Sequence, residues 1–175
     1  MKSDPLTGEQ VFKHSNTAQE CPCGQRVKGE RLTYQACCKI YHQGAFVPTP
    51  EVLMRSRYSA FVMRLHDYLI ATHHPDTLNG LTKSILDSDN QTQWLGLSIQ
   101  RSATTDDNGV VEFHAWYREN NRLDAIHEVS QFIKQHGVWW YTSGEQLNPQ
   151  LPKRNDPCIC YSGRKFKQCC LNLAN

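Results

Sequence analysis

Apolar residues between positions 49 and 74 recur at spacings of three and four, the period of a helix with one buried face. The recurring positions are Met54, Tyr58, Phe61, Leu65 and Leu69. Residues 49–51, Thr-Pro-Glu, are typical of a helix start, with a capping hydroxyl, a proline in the first turn and an acid near the positive end of the dipole. We expect this helix to bend near His66 and to end by His74, because Pro75 disfavours a helical conformation in the residue before it.

From Gln93 the apolar residues alternate with period two, which is typical of strands with one buried face. Two sets share a strand face: Leu95, Leu97 and Ile99, and Val111, Phe113, Ala115 and Tyr117. Turn-forming residues at 106–109, 120–121 and 136–137 predict hairpins, with further strands over 125–134 and 138–142. With a short helix expected over 81–86, the order predicts an α+β fold in which an antiparallel sheet wraps around the long helix.

The eight cysteines fall into two groups of four with none between them. The groups are Cys21, Cys23, Cys37 and Cys38, and Cys158, Cys160, Cys169 and Cys170. The length of 175 residues, 39% of them hydrophobic, suits one domain with small appendages. We therefore predict a flexible lead-in at 1–20, a cysteine-bearing segment at 21–43, a central domain at 44–150 and a second cysteine-bearing segment at 151–175.

The cellular compartment affects whether these thiols form disulfides or bind metal. No stretch approaches the roughly 18 apolar residues of a membrane helix, and residues 1–20 have no apolar core typical of a secretory signal. We expect a cytoplasmic protein without membrane contact, whose thiols stay reduced. Metal binding is then favoured over structural disulfides.

The spacing of the cysteines predicts two zinc ions. The C-terminal group follows the pattern C-x-C-x8-C-C, and the N-terminal group has thirteen residues between its second and third cysteines, an insertion of five. Four thiolates make a closed tetrahedral site that suits zinc, although disulfides and an iron–sulfur cluster remain alternatives. Tyr34 and Phe166 each precede the third cysteine by three residues, so both groups are predicted to close alike with a ring over the metal. His42 is a further candidate ligand.

Residues 155–170, NDPCICYSGRKFKQCC, resemble the SEC-C motif, the zinc-binding tail of the bacterial protein-export ATPase. They depart from it at Ile159, where the motif usually has proline, and at Tyr161, where it usually has glycine. With LMRSRYSAFV at 53–62 and WLGL at 94–97, the chain resembles the bacterial YchJ-like family. The resemblance implies an NTF2-like middle domain with a curved sheet, flanked by two zinc-binding SEC-C modules, and no reaction. Because the similar tail of the export ATPase engages a chaperone and the ribosome, it also implies contact with proteins.

A curved sheet facing a helix commonly leaves a pocket. The candidate pocket residues are Arg55, Arg57, His73, His114, Glu128 and Ser130. His114 and Glu128 are a candidate acid–base pair, with a structural role favoured, and His73 with His74 is interpreted as a helix cap rather than a ligand pair. Since the sequence has no serine triad order, phosphate loop or nucleotide fingerprint, it favours a protein that is not an enzyme, with an enzymatic pocket left as the alternative.

Charge separates the remaining hypotheses. Residues 21–39 hold four basic groups and one acid and residues 151–175 hold five and one, whereas 40–150 hold eight and twelve. Basic ends invite a nucleic-acid hypothesis, carried by Lys153, Arg154, Arg164, Lys165 and Lys167. Each zinc tetrathiolate has a charge of about −2, so two loaded sites change the chain's +2 to about −2 and weaken that hypothesis. The leading hypothesis is a zinc-binding adaptor with a protein partner, and the second is a ligand or enzyme pocket with structural zinc.

Overall fold

The computed structural model describes residues 19–88 and 92–172. The predicted lead-in, residues 1–20, lies outside the described residues except for positions 19 and 20. The first elements are a small hairpin and one helical turn: β1 (Arg26–Val27), β2 (Glu30–Arg31) and α1 (Lys39–His42). No helix in these two ranges is long and apolar enough to cross a membrane.

The central domain begins with helices: α2 (Pro50–Val62), α3 (His66–Ala71), a 3-10 turn (Pro75–Thr77) and α4 (Lys83–Asp87). The predicted cap is confirmed, because the Thr49 hydroxyl accepts a hydrogen bond from the backbone N–H of Val52. The expected interruption near His66 is confirmed, because α2 ends at Val62 and α3 begins at His66. The helix ends at Val62, where Arg64 takes a left-handed φ of 57° and the N–H of Leu65 reaches back to the carbonyl of Ala60. This ending usually uses glycine, so an arginine gave no sequence signal.

The remaining elements form an antiparallel meander in the order β3-β4-β5-β6. Its strands are β3 (Gln93–Thr105), β4 (Asn108–Glu119), β5 (Arg122–Gln135) and β6 (Val138–Leu147). The predicted turns all connect these strands, and positive φ at Asn120, Asn121, His136 and Gly137 gives the two later hairpins the twist that two-residue loops require.

The strict alternation expected in β3 is interrupted. The pairing of β3 with β4 skips Leu95 and Gln100, so each of them forms a β-bulge. Because an extra residue reverses the side-chain pattern, Trp94 joins Leu97 in the main core while Leu95 packs on the other side. The expectation that Leu95 and Leu97 share a face is therefore wrong.

Two apolar cores lie on opposite faces of the sheet. We call the face that packs against α2 the inner face; it carries Val111, Phe113 and Ala115, which join the main core with Leu53. The outer face carries Trp116, which packs in a second core with the C-terminal cysteines. These contacts show that the strand face with Val111, Phe113 and Ala115 points inward.

Candidate metal centres and the central cavity

Each group of four cysteines converges on one point. Within each group the four sulfur atoms all lie within 4.8 Å of one another. The sulfur of Cys23 is 3.5 Å from that of Cys21 and 3.6 Å from that of Cys37. In the other group, the sulfur of Cys160 is 3.5 Å from those of both Cys158 and Cys169. The eight thiols are free, and each group of four could hold one metal ion.

The two groups close through the same backbone hydrogen bonds, as the shared aromatic offset predicts. The carbonyl of Tyr34 accepts from the N–H groups three and five residues later, and the carbonyl of Phe166 does the same. Each C-x-C turn is closed by a bond to the carbonyl of its first cysteine, from Gly24 in one group and Tyr161 in the other. The five inserted residues fall within the loop that carries the β1–β2 hairpin, outside this shared framework.

The N-terminal group is built into the main core. Cys21, Cys23 and Cys38 are buried beside α2, where the Ser59 hydroxyl donates to the sulfur of Cys38 over 3.3 Å. Hydrogen bonds from the neighbouring thiols, that of Cys23 first, lower the pKa of Cys21, whereas the pKa of Cys38 is raised. Four thiols this close cannot all ionise unaided, so a cation is needed to hold them as thiolates.

The C-terminal group packs on the outer face of the sheet. Cys158, Cys169 and Phe166 lie in one apolar cluster with Trp116, which is almost entirely buried. The Arg164 guanidinium and the Ser162 hydroxyl each donate to the sulfur of Cys169 over 3.4 Å. A basic group thus lies against the Cys169 sulfur, where it would offset thiolate charge and tune the donor strength of the sulfur toward a metal.

Tyr161 links the two cysteine groups and the sheet. Its hydroxyl accepts from the backbone N–H of Leu97 over 2.6 Å and donates to the carbonyl of the same residue, which satisfies the free edge of β3. A side chain at Gly24, the equivalent position of the other group, would overlap the Tyr161 ring. Tyr161, one of the two departures from the SEC-C pattern, therefore has a structural role that its sequence position did not reveal.

A cavity of about 660 Å³ lies between α2 and the inner face of the sheet. Its walls are mainly apolar, and Phe61 and Ile85 line it while remaining solvent-exposed. Three of the six candidate pocket residues, Arg57, His73 and Glu128, line it. The size and the mixture of apolar walls with a few polar groups are those of a small-molecule site.

Arg57 is the buried cation of this cavity. Its Nη1 donates to the carbonyl of Leu69 and to the hydroxyl of Thr72, both over 2.7 Å. The guanidinium carbon lies 4.6 Å from the centre of the Tyr141 ring. Burial lowers the pKa of Arg57 to about 10, so the side chain stays positively charged at neutral pH.

Glu128 is a carboxylate on the wall of the same cavity. One of its oxygens accepts from Ser130 over 2.5 Å and from Tyr141 over 3.3 Å, and Gln146 donates to the other. Ser130 is fully buried and does not line the cavity itself, and its hydroxyl holds the Glu128 carboxylate in place. Burial, followed by the charge of Arg57, lowers the pKa of His73 at the cavity wall.

The other sequence candidates lie elsewhere. Arg55 pairs with Glu51 and donates to the carbonyl of Cys23, so it supports the N-terminal cysteine group. His114 lies on the outer face of the sheet, stacked on Trp116 at 5.0 Å, and cannot pair with Glu128 on the inner face. Tyr141, which was not among the predicted pocket residues, contacts both Arg57 and Glu128. The sequence places it in a predicted strand, and this was the available signal that it could face the cavity.

His42 and His74, the other histidines considered from the sequence, each have a structural role. His42 uses both ring nitrogens, with the Tyr34 hydroxyl at 2.8 Å and the carbonyl of Ser56 at 2.9 Å, so it is not placed as a metal ligand. His74 caps the following 3-10 turn, as its Nδ1 accepts from the N–H of Asp76. The predicted capping role thus applies to the turn after the helix end.

Two known family models match this chain. A family model described as the middle NTF2-like domain of YchJ matches residues 49–144, more than half of the chain. The chain belongs to the YchJ family. A second model, the SEC-C motif, matches residues 154–172, which contain the C-terminal cysteine group. Both resemblances predicted from the sequence are thereby confirmed.

Relatives within the YchJ family extend over nearly the whole chain. A UPF0225 protein of Shewanella sp. strain MR-7 is 47% identical over 161 residues, 86% of this chain and 95% of the relative. A UPF0225 protein of Vibrio parahaemolyticus is 41% identical and covers 87% of this chain and 99% of its own.

Solved structures agree with the fold. A SEC-C motif-containing protein from Psychrobacter arcticus has a TM-score of 0.64 at 31% identity, covering 88% of this chain and 96% of its own. A second one, from Rhodopseudomonas palustris, has a TM-score of 0.66 at 30% identity, covering 74% and 100%. The YchJ-family chain is thus similar to SEC-C proteins through both its central domain and its cysteine-bearing end.

Proposed function

We propose that this protein binds a small molecule in its central cavity and that two zinc ions hold the fold around that cavity. The observation that carries the proposal is the cavity itself, open between α2 and the sheet and containing a buried cation. The two cysteine groups flank the domain that contains it, one behind α2 and one on the outer face of the sheet.

The donor set supports zinc. A tetrahedral zinc site with bonds of about 2.3 Å has sulfur–sulfur edges of about 3.8 Å. The separations of Cys37 from Cys23 and from Cys38, 3.6 Å and 3.9 Å, fit those edges. Sulfur atoms all within 4.8 Å enclose a single ion and leave little room for the several irons of a cluster.

The sites are closed, which favours a structural role for zinc. Four thiols occupy each site, and His42 is engaged elsewhere. A catalytic zinc needs an open position for water or substrate. Since the N-terminal group repeats the hydrogen bonds of the matched SEC-C residues, we assign it as a second module of the same kind.

A variant that fills the cavity tests ligand binding. Ala115 lines the cavity and is buried, so Ala115→Leu places three extra carbons inside it and should weaken binding of a cavity ligand by about tenfold or more. Calorimetric titration with indole-3-acetamide and octanamide, two neutral amides of suitable size, measures the loss. Ala103→Leu, the same change at an exposed strand position, is the control and should bind as the natural chain does. Absence of binding by both amides and by the matching acids and amines would contradict the proposal.

A second candidate function is contact with a protein partner. It is favoured by the outward face of the C-terminal module, where Lys153, Arg154 and Lys165 are exposed while the cysteine side is buried against the sheet. Such a face suits an acidic protein surface, and the same face is the one a nucleic acid would contact.

Charge reversal separates these partners. Lys153→Glu with Lys165→Glu should abolish capture of a specific protein from cytosol. Lys28→Glu with Lys39→Glu, at an exposed and a half-buried position of the other module, should retain it. Nuclease treatment should leave capture unchanged. Capture that disappears with nuclease would replace the protein partner by nucleic acid, and capture unaffected by either double variant would contradict the adaptor function.

A further inference from the structure

Arg57 has donors to spare at the cavity. Its Nη1 makes both of its hydrogen bonds, to a carbonyl and a hydroxyl, while Nε and Nη2 make none within the described part of the chain. The residue is only 5% exposed and lines the cavity. No ion pair joins it to a carboxylate among the described residues.

A buried cation in this state favours an anion. Removing a guanidinium from water costs free energy that neutral acceptors recover only in part. Because Arg57 remains charged at neutral pH, its planar fork keeps parallel N–H groups that fit the two oxygens of a carboxylate. The Tyr141 ring and the two acceptors on Nη1 hold the guanidinium in place, so little side-chain entropy is lost when an anion binds.

The Glu128 carboxylate does not take this role. Glu128 is held by Ser130, Tyr141 and Gln146, and it lies over Gly144, where a side chain would overlap its carboxylate. Burial lowers the pKa of Arg57, and the Glu128 charge offsets only part of this from a distance, without a hydrogen bond. The same charge should repel a bound anion, so removing the Glu128 charge should tighten binding of the anion.

The walls describe the rest of the ligand. Tyr58, Phe61, Trp94 and Phe113 line the cavity with aromatic rings, and Ile126 adds an aliphatic surface. Trp94 is fixed by edge contacts with the rings of Tyr58 and Tyr117, at 5.9 and 5.8 Å. A flat or aliphatic apolar body of drug-like size would replace water on these walls.

We propose that the cavity binds a small apolar organic acid, with its carboxylate on the Arg57 guanidinium and its apolar body against Trp94 and Phe113. This inference rests on the proposed ligand-binding function and names the class of ligand. Nε and Nη2 of Arg57 supply the recognition of charge, and the aromatic walls supply the affinity for the body.

Two matched series test the head group on the zinc-loaded chain at pH 7. The first is indole-3-acetate, indole-3-acetamide and tryptamine; the second is octanoate, octanamide and octylamine. Calorimetry should show each acid binding about tenfold or more tightly than its amide, and each amine more weakly than the amide. Equal binding of acid and amide, or tightest binding of the amine, would overturn the carboxylate assignment while the ligand-binding function stood. Absence of binding by all six compounds would overturn both.

Variants assign the preference to named residues. Arg57→Gln should remove the acid's advantage over the amide, and Arg57→Lys, which keeps the charge but not the fork, should retain part of it. Arg64→Gln is the control, because Arg64 also lines the cavity but pairs with Asp87 at 2.7 Å. Glu128→Gln removes the like charge and should tighten binding of the acid. If Arg57→Gln fails to fold, weaker acid binding by Arg57→Lys and tighter binding by Glu128→Gln carry the test; an unchanged acid-to-amide ratio in both would overturn the inference.

Discussion

A Cys38→Ser variant should bind one zinc ion instead of two and should lose about 4 kcal/mol or more of unfolding free energy. Cys38 is buried in the main core beside Ser59 and contributes a ligand to the N-terminal site. Without that zinc, three thiols and a serine hydroxyl would remain buried against α2. Metal analysis and guanidinium chloride unfolding measure the two effects.

Cys169→Ser is the matched variant of the other site. It should also lose one zinc ion, but its effect should stay local, because the C-terminal group packs on the outer face through the second core. Hydrogen exchange should increase in residues 154–172 and change little in α2. Retention of two zinc ions by either variant would contradict the assignment of the eight cysteines as ligands.

Gly96→Ala should detach the C-terminal module from the sheet. A Cβ at Gly96 would lie 2.0 Å from the carbonyl oxygen of Ile159, and a backbone atom cannot move aside without shifting the module. We expect a loss of about 3 kcal/mol with two zinc ions still bound. Exposure of Trp116, 4% exposed in the intact chain, should appear as faster hydrogen exchange across β4.

Tyr161→Phe gives a graded form of the same change. It leaves the backbone groups of Leu97 without the hydroxyl that bonds them, at a cost of about 1–3 kcal/mol. Gly29→Ala is the control for Gly96→Ala, since nothing lies near its Cβ position and its positive φ alone should cost about 1 kcal/mol. A Gly96→Ala variant no less stable than Gly29→Ala would contradict the close contact.

Much of the fold follows from local patterns. The Thr49 cap, the hairpin turns and the two cysteine groups each have a short-range chemical cause, so the sequence predicts them. The end of α2 at Val62 and the bulges at Leu95 and Gln100 do not, because tertiary packing sets them. Bulges decide which side of the sheet receives Trp94, and no local propensity encodes that choice.

The sites divide in the same way. Cysteine spacing predicted both groups of four thiols that the structure brings together, since ligands of one ion must meet at one point. The sequence could not separate the polar residues that line the cavity from the others, because the direction of each side chain depends on how the helices pack on the sheet. Arg57, His73 and Glu128 line the cavity, whereas Arg55 supports a cysteine group. The role of Tyr161 was hidden because its partners, Leu97 and Gly24, are distant in sequence.

Native mass spectrometry of the intact chain, combined with alkylation of its thiols, tests most directly whether two zinc ions hold this fold. We predict two zinc ions per chain, with all eight cysteines protected from alkylation until a chelator removes the metal. Fewer than one zinc ion per chain, or cysteines already joined as disulfides, would contradict this account.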